Sequence, residues 1–220
     1  MTEATHDWRI DAREYARHES RRGRRFAYPT LDPRRTALAV IDMVPFHVAE
    51  NRYCRAIVPH INSLAAGLRA AGGSIAWVLP APGEPTARSI EFFGQRTAEN
   101  YSGSAGFGPP STRLWPELAL GDEDLFAEKS AFSAFFPGRC DLPNLLDRRN
   151  IDTVLITGTV TNVCCESSAR DAATRGFRVI MVADANAAAR DHDHNATLHT
   201  IYRSFGDVRP TSDVLAMISR

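Results

Sequence analysis

Three side chains of different chemistry, Asp42, Lys129 and Cys164, each follow a stretch that reads as a buried strand. Asp42 closes the apolar run TALAVI (36–41), Lys129 follows DLFAE (124–128), and Cys164 comes one tight turn after the run 153–156. In a parallel sheet all strands end on one edge, so residues distant in sequence meet there. A thiol, a carboxylate and an amine on that edge suit nucleophilic attack on a carbonyl carbon. The carboxylate takes the thiol proton and later returns it to a leaving nitrogen, while the amine holds the charges in place. Backbone N–H groups in the turn before the cysteine are placed to bind an oxyanion. Each residue also has an ordinary alternative: Asp42 as a cap or ion-pair partner, Lys129 as a surface charge, Cys164 as a small buried apolar side chain.

Lys129 stands out for a second reason. The chain has 26 basic residues, and Lys129 is the single lysine among them. Lysine is a compact, titratable point charge, whereas arginine is a wide fork that stays protonated. Of the four cysteines, Cys54, Cys140, Cys164 and Cys165, none falls in a zinc or disulfide-scaffold spacing, which points to a reducing, cytoplasmic setting. Cys164 opens a predicted helix, where the positive end of the helix dipole favours a thiolate.

The elements that must position these groups follow a strand–helix rhythm. Strands are expected at 36–41, 74–79, 124–128, 153–156, 178–182 and near Val208. Helices are expected at 54–71, 91–100, 141–149, from Cys164 to Gly176, at 191–203 and at 213–218. Crossovers of this length join parallel strands, so the fold class is α/β, a three-layer doubly wound sheet. Residues 1–35 form a polar, basic N-terminal arm with a helix over 11–22 that Gly23 stops, and residues 36–220 form the main domain. The arm's Arg21, Arg22, Arg24 and Arg25 fit a solvated segment, or one packed on another subunit, better than a nucleic-acid patch.

Composition bounds the partners. Net charge is zero, hydrophobic residues make up 44% and charged residues 24%, which suits a globular domain and gives no sign of a nucleic-acid or membrane partner. No apolar run reaches membrane-spanning length, and the first residues lack a signal-peptide pattern. Residues 80–116 form a long irregular stretch that suits a lid or binding loop. Its Phe92, Phe93, Tyr101, Phe107 and Trp115 suit a pocket lining and a loop anchor equally. Phe46, Phe135 and Trp115 are the substrate-pocket candidates, and Arg88, Arg96 and Arg113 are candidates for recognising a carboxylate.

The segments ALAVIDM, EKSAFSAFF and VLITGTVTNVCCESSARDAATRGFRVIMVADA, in this order and spacing, resemble those of the isochorismatase-like cysteine hydrolases. The resemblance covers the chain from about Thr36 to its end. It implies six parallel strands, a catalytic triad of Asp42, Lys129 and Cys164, a cis peptide between Thr159 and Val160, and an oxyanion hole made by the N–H groups of Val160 and Cys164. It makes Cys164 the nucleophile and Cys165 its buried neighbour, and it implies a homodimer or homotetramer. Nicotinamidases of this family bind a metal through an aspartate and clustered histidines. His47 and His60 offer no matching cluster, and the His192/His194 pair reads as part of an ordinary helix, so no metal or other cofactor is expected. True isochorismatases have glycine where Cys164 stands, which argues against vinyl-ether hydrolysis. Val44 replaces a glutamine common in the family. The expected function is cysteine-dependent cleavage of a C–N bond in a small amide, carbamoyl compound or lactam. The alternatives are vinyl-ether hydrolysis and a non-catalytic, ligand-binding or thiol redox-sensing protein.

Overall fold

The structure is a computed structural model and describes residues 4–219. Six parallel strands form one sheet in the order β3-β2-β1-β4-β5-β6. They are β1 (Thr36–Ile41), β2 (Ser74–Pro80), β3 (Leu125–Lys129), β4 (Thr153–Thr159), β5 (Arg178–Ala187) and β6 (Asp207–Arg209). The helices are α1 (Ala12–Arg22), α2 (Pro45–Val48), α3 (Arg52–Ala56), α4 (Val58–Ala70), α5 (Ala87–Phe93), α6 (Gln95–Gly103), α7 (Leu142–Arg148), α8 (Glu166–Thr174), α9 (Asp191–Ser204) and α10 (Thr211–Ile218).

Strand residues alternate between two apolar layers because successive side chains leave a strand on opposite faces. On one face Leu38, Val40, Ile75, Trp77, Leu155 and Ile180 pack with Ile61, Leu64 and Leu68 of α4 and Val214 of α10. On the other, Ala39, Ile41, Val78, Ile156 and Met181 pack with Leu146 of α7, Ala169 of α8 and Leu198 of α9. Both faces of β1 and β4 are buried, which is why these strands read as continuous apolar runs. Strand order reverses between β1 and β4, and the carboxyl ends of those two strands flank the crevice this creates.

Several boundaries differ from expectation for identifiable reasons. The helix expected over 54–71 is two helices, and Pro59 sits in the first turn of the second, where its missing N–H costs no bond. The helix expected over 91–100 is also two, broken at Gly94 with φ +79°. Strand β5 runs beyond Val182 to Ala187, past a register shift against β4, and the buried Asn186 side chain donates to the Ile156 and Val182 carbonyls at 2.8 and 2.7 Å.

The arm lies on its own chain. Asp11 caps α1 and Gly23, with φ +72°, ends it. The Ala27 and Tyr28 N–H groups donate to the Asp207 carboxylate at 2.7 and 2.9 Å, and the Tyr202 hydroxyl donates to the Arg25 carbonyl at 2.6 Å. Arg22 and Arg24 turn back onto carbonyls of the arm itself. No helix among the described residues is long and apolar enough to cross a membrane.

Candidate active site

Asp42 is the first residue past β1. Its N–H donates to the Val78 carbonyl of β2 at 2.9 Å, and its own carbonyl accepts from Val44 at 2.8 Å. These bonds hold it at φ +53°, a left-handed conformation that aspartate and asparagine tolerate better than other non-glycine residues. Such held strain is characteristic of residues whose side chain must point one way. The carboxylate is buried, and Oδ1 has no hydrogen-bond partner among the described residues.

Lys129 ends the edge strand β3. Its backbone is fixed on two sides: its carbonyl accepts from the Ala81 N–H at 2.8 Å, and it bridges Cys140 in antiparallel fashion. The segment that follows is anchored by the Ala134 N–H, which donates to Ser168 of α8 at 2.9 Å. So held, the buried ammonium lies 2.9 Å from Asp42 Oδ2, 3.1 Å from the Ala131 carbonyl and 3.5 Å from Cys164 Sγ.

The third group is set by the end of β4. Gly158 pairs with Ile41 at φ +108°, and a Cβ there would lie 2.2 Å from the Ile41 carbonyl oxygen, so only glycine lets the two strands approach. The peptide between Thr159 and Val160 is cis. Thr161–Cys165 then form one π-type turn, in which the Cys165 N–H reaches the Val160 carbonyl at 3.3 Å, before α8 begins at Glu166. Wide turns of this kind recur at functional sites. Cys164 projects from the turn toward Lys129, whereas Cys165 points into the core and is fully buried. Among the described residues no acceptor takes the Val160 N–H.

Burial, with the neighbouring Asp42 carboxylate, pushes the Cys164 thiol up to about 12, against the lowering effect of Lys129. The expectation that the helix end would hold a thiolate is therefore corrected: desolvation and a nearby negative charge outweigh it. Burial acts to lower Lys129, but Asp42 and Cys164 overcome it and hold the amine above the ordinary lysine range. At rest the centre is an Asp–Lys ion pair beside a neutral thiol.

The remaining sequence candidates divide. Phe135 is fully buried, edge-on to Phe177 in the core, so it does not line a pocket. Phe46 is exposed and meets Tyr101 of α6 with ring centroids 6.0 Å apart. Trp115 packs partly buried against the core, and its backbone N–H donates to the Met43 carbonyl at 2.8 Å, tying the 80–116 stretch to the residue beside Asp42. Phe92 and Phe107 point to solvent. Arg113 is buried and paired with Glu128, so it is not free to recognise a carboxylate, while Arg88 and Arg96 are exposed.

Sequence reasoning gave His47 no place in the site. It is close enough to Asp42 and Lys129 for both charges to act on it, and burial lowers it. Its position five residues past Asp42, on the short helix that follows β1, was the available signal. The residues present do not fit a metal centre: among the described residues no three His, Cys, Asp or Glu side chains converge to hold an ion.

A family model described as "Isochorismatase domain" matches residues 36–213. An isochorismatase family protein of Bacillus subtilis, itself uncharacterised, is 31% identical over 86% of this chain and 96% of its own length. A ureidoacrylate amidohydrolase of Rhizobium rhizogenes is 27% identical over 87% and 86%. The crystal structure of a cysteine hydrolase from Pseudomonas syringae superposes with a TM-score of 0.78 at 29% identity, covering 88% of this chain and 96% of that one. The sheet order, the residues gathered at its carboxyl edge and these matches lead to one conclusion: the chain belongs to the isochorismatase family of hydrolases.

Proposed function

We propose that this hydrolase is a cysteine-dependent amidohydrolase acting on a small amide, carbamoyl compound or lactam. The observation that carries the reading is the Cys164 thiol 3.5 Å from a lysine that is itself paired to Asp42 at 2.9 Å, on the sheet edge beside the crevice. Asp42 takes the thiol proton as sulfur bonds to the substrate carbonyl carbon. The resulting oxyanion is held by the N–H groups of Val160 and Cys164, and Lys129 stabilises the charge that develops nearby. Asp42 then gives the proton to the leaving nitrogen, the C–N bond breaks, and a thioester remains on Cys164. Water, losing a proton to Asp42, attacks the thioester carbon; the C–S bond breaks, the acid leaves, and Asp42 returns the proton to the Cys164 sulfur. The relative that is an amidohydrolase over most of its length supports the choice of bond.

Redox sensing through a Cys164–Cys165 pair is disfavoured, because Cys165 is fully buried and burial pushes its thiol well above the usual range. The exposed Phe92, Phe107, Phe132 and Phe136 support a homo-oligomer in which a second copy covers them, which sedimentation velocity would detect. An ammonia-release screen across amides, ureas and lactams tests the reading, with Cys164→Ala and Cys164→Gly alongside. Turnover lost in both variants is the expected result. Full activity in the alanine variant removes the thiol from the mechanism, and activity kept by the glycine variant on a vinyl ether moves the reading to that bond.

A further inference from the structure

The turn that carries Cys164 is braced from behind by a column of three aromatic rings. His6, in the arm, lies flat between Tyr53 of α3 and His194 of α9, with centroids 4.0 and 4.2 Å apart and interplanar angles of 7° and 10°. His6 and its Asp191 partner are 185 residues apart in sequence, and His6 precedes the span matched by the family model. The His6 ring has a defined orientation, with both nitrogens bonded. The Ala188 N–H donates to His6 Nε2 at 3.0 Å, so the His6 proton resides on Nδ1, which donates to Asp191 Oδ1 at 2.6 Å. His194 is fully buried, and its Nδ1 lies 2.9 Å from the Thr161 hydroxyl. His194 Nε2 has no hydrogen-bond partner among the described residues, so the bond between Nδ1 and the Thr161 hydroxyl is the polar contact that ties this ring to the turn. Thr161 is the first residue of the turn that carries Cys164, directly after Val160.

We infer that His6 is a positioning residue for the oxyanion-binding turn, acting through the plane of His194 and the Thr161 hydroxyl. The inference rests on the reading of Cys164 as nucleophile and of Val160 and Cys164 as oxyanion donors. Without the His6 ring, His194 loses the surface that fixes its plane on one side. Thr161 then has a hydrogen-bond partner that can rotate away. The opposite flank of the turn is held separately, since the Thr159 hydroxyl lies 3.3 Å from Cys54 Sγ and donates to the Ala187 carbonyl at 3.3 Å. The turn is therefore expected to loosen rather than collapse. Displacing an oxyanion donor costs less than deleting one, which lowers turnover roughly 100-fold or more, so His6→Ala is expected to lower kcat about tenfold with KM little changed.

The test uses the full chain with His6→Ala, His6→Phe and Thr161→Val, and two readouts. In hydrogen exchange read by mass spectrometry, the peptide spanning residues 159–165 should exchange faster in His6→Ala than in the parent protein, and return toward parent protection in His6→Phe, which keeps the stack. In turnover of an amide found active in the screen, kcat should fall in His6→Ala and recover in His6→Phe. His6→Phe is nevertheless expected to melt lower than the parent, because it leaves the buried Ala188 N–H unpaired. The His6→Ala/Thr161→Val pair should be non-additive in kcat although the two residues do not touch. Unchanged exchange in His6→Ala overturns the inference, and so does a kcat that simply follows melting temperature across the variants. If the parent protein hydrolyses no amide, the functional reading fails, and the exchange experiment alone decides whether His6 braces the turn.

Discussion

Replacing Asp42 with asparagine should move two properties of Cys164 in opposite directions. Asparagine tolerates the φ of +53° at this position and nearly preserves the side-chain shape, so the change removes mainly the charge and the proton acceptor. With burial and the Asp42 carboxylate pushing the thiol up, the neutral thiol is the dominant form at neutral pH. Removing a unit charge at contact range in a protein environment changes that balance by about 2–4 kcal/mol, or about 1.5 to 3 pKa units. Lys129, deprived of its partner, then has Cys164 as the remaining group able to neutralise it, which favours the thiolate further. Alkylation of Cys164 by iodoacetamide, read on its own peptide, should therefore speed up about 100-fold at neutral pH, with its pH profile shifted downward. Amide hydrolysis should fall by about 100- to 10,000-fold, because the general base and acid is gone. If alkylation and hydrolysis fall together, or the alkylation profile does not move down, Asp42 is not the group that holds the thiol protonated.

Other outcomes follow from packing and charge. Gly158→Ala places a Cβ 2.2 Å from the Ile41 oxygen at a left-handed φ and should lower stability in urea by about 3 kcal/mol or more, with loss of activity. Phe135→Ala should cost about 3–5 kcal/mol in urea unfolding, as expected of a core cavity, whereas Phe46→Ala should leave stability within about 0.5 kcal/mol and change KM. Stability should fall as pH rises above the ordinary thiol range of about 8.5. Cys54, Cys140, Cys164 and Cys165 all have folded pKa values raised first by burial, so the folded state retains protons that the unfolded chain releases. Urea midpoints between pH 8 and 10.5 measure this, and Cys164→Ala should flatten the decline. At the acid end, burial first and then His6 lower His194 to about 3, so the stability of its neutral form is present above about 6.5 and lost as pH falls toward 3. His194→Phe should reduce that acid-side slope.

Much of the fold was legible because both faces of its central strands are buried. TALAVI and TVLI are continuous apolar runs for that reason, and polar residues past their ends mark the working edge. The far half of β5 was not legible. The strand was expected to stop at Val182, yet the side-chain N–H groups of the buried Asn186 donate to carbonyls of β4 and of its own strand, a partnership set by the sheet. Phe135 was misread because its neighbours in sequence, Phe132 and Phe136, are exposed and nothing local distinguishes it. The state of Cys164 was misjudged because position at a helix start is visible in a sequence, while burial beside a carboxylate from another strand is not. The His6 column had no local signal, since its rings come from the arm, α3 and α9.

Acid-quenched intact and peptide mass spectrometry during turnover of an active amide tests the central claim most directly. A thioester mechanism predicts an acyl mass on the peptide containing Cys164, appearing before free acid accumulates and absent in Cys164→Ala, which should also be inactive. Steady turnover with no adduct on Cys164, together with undiminished activity in Cys164→Ala, would contradict it.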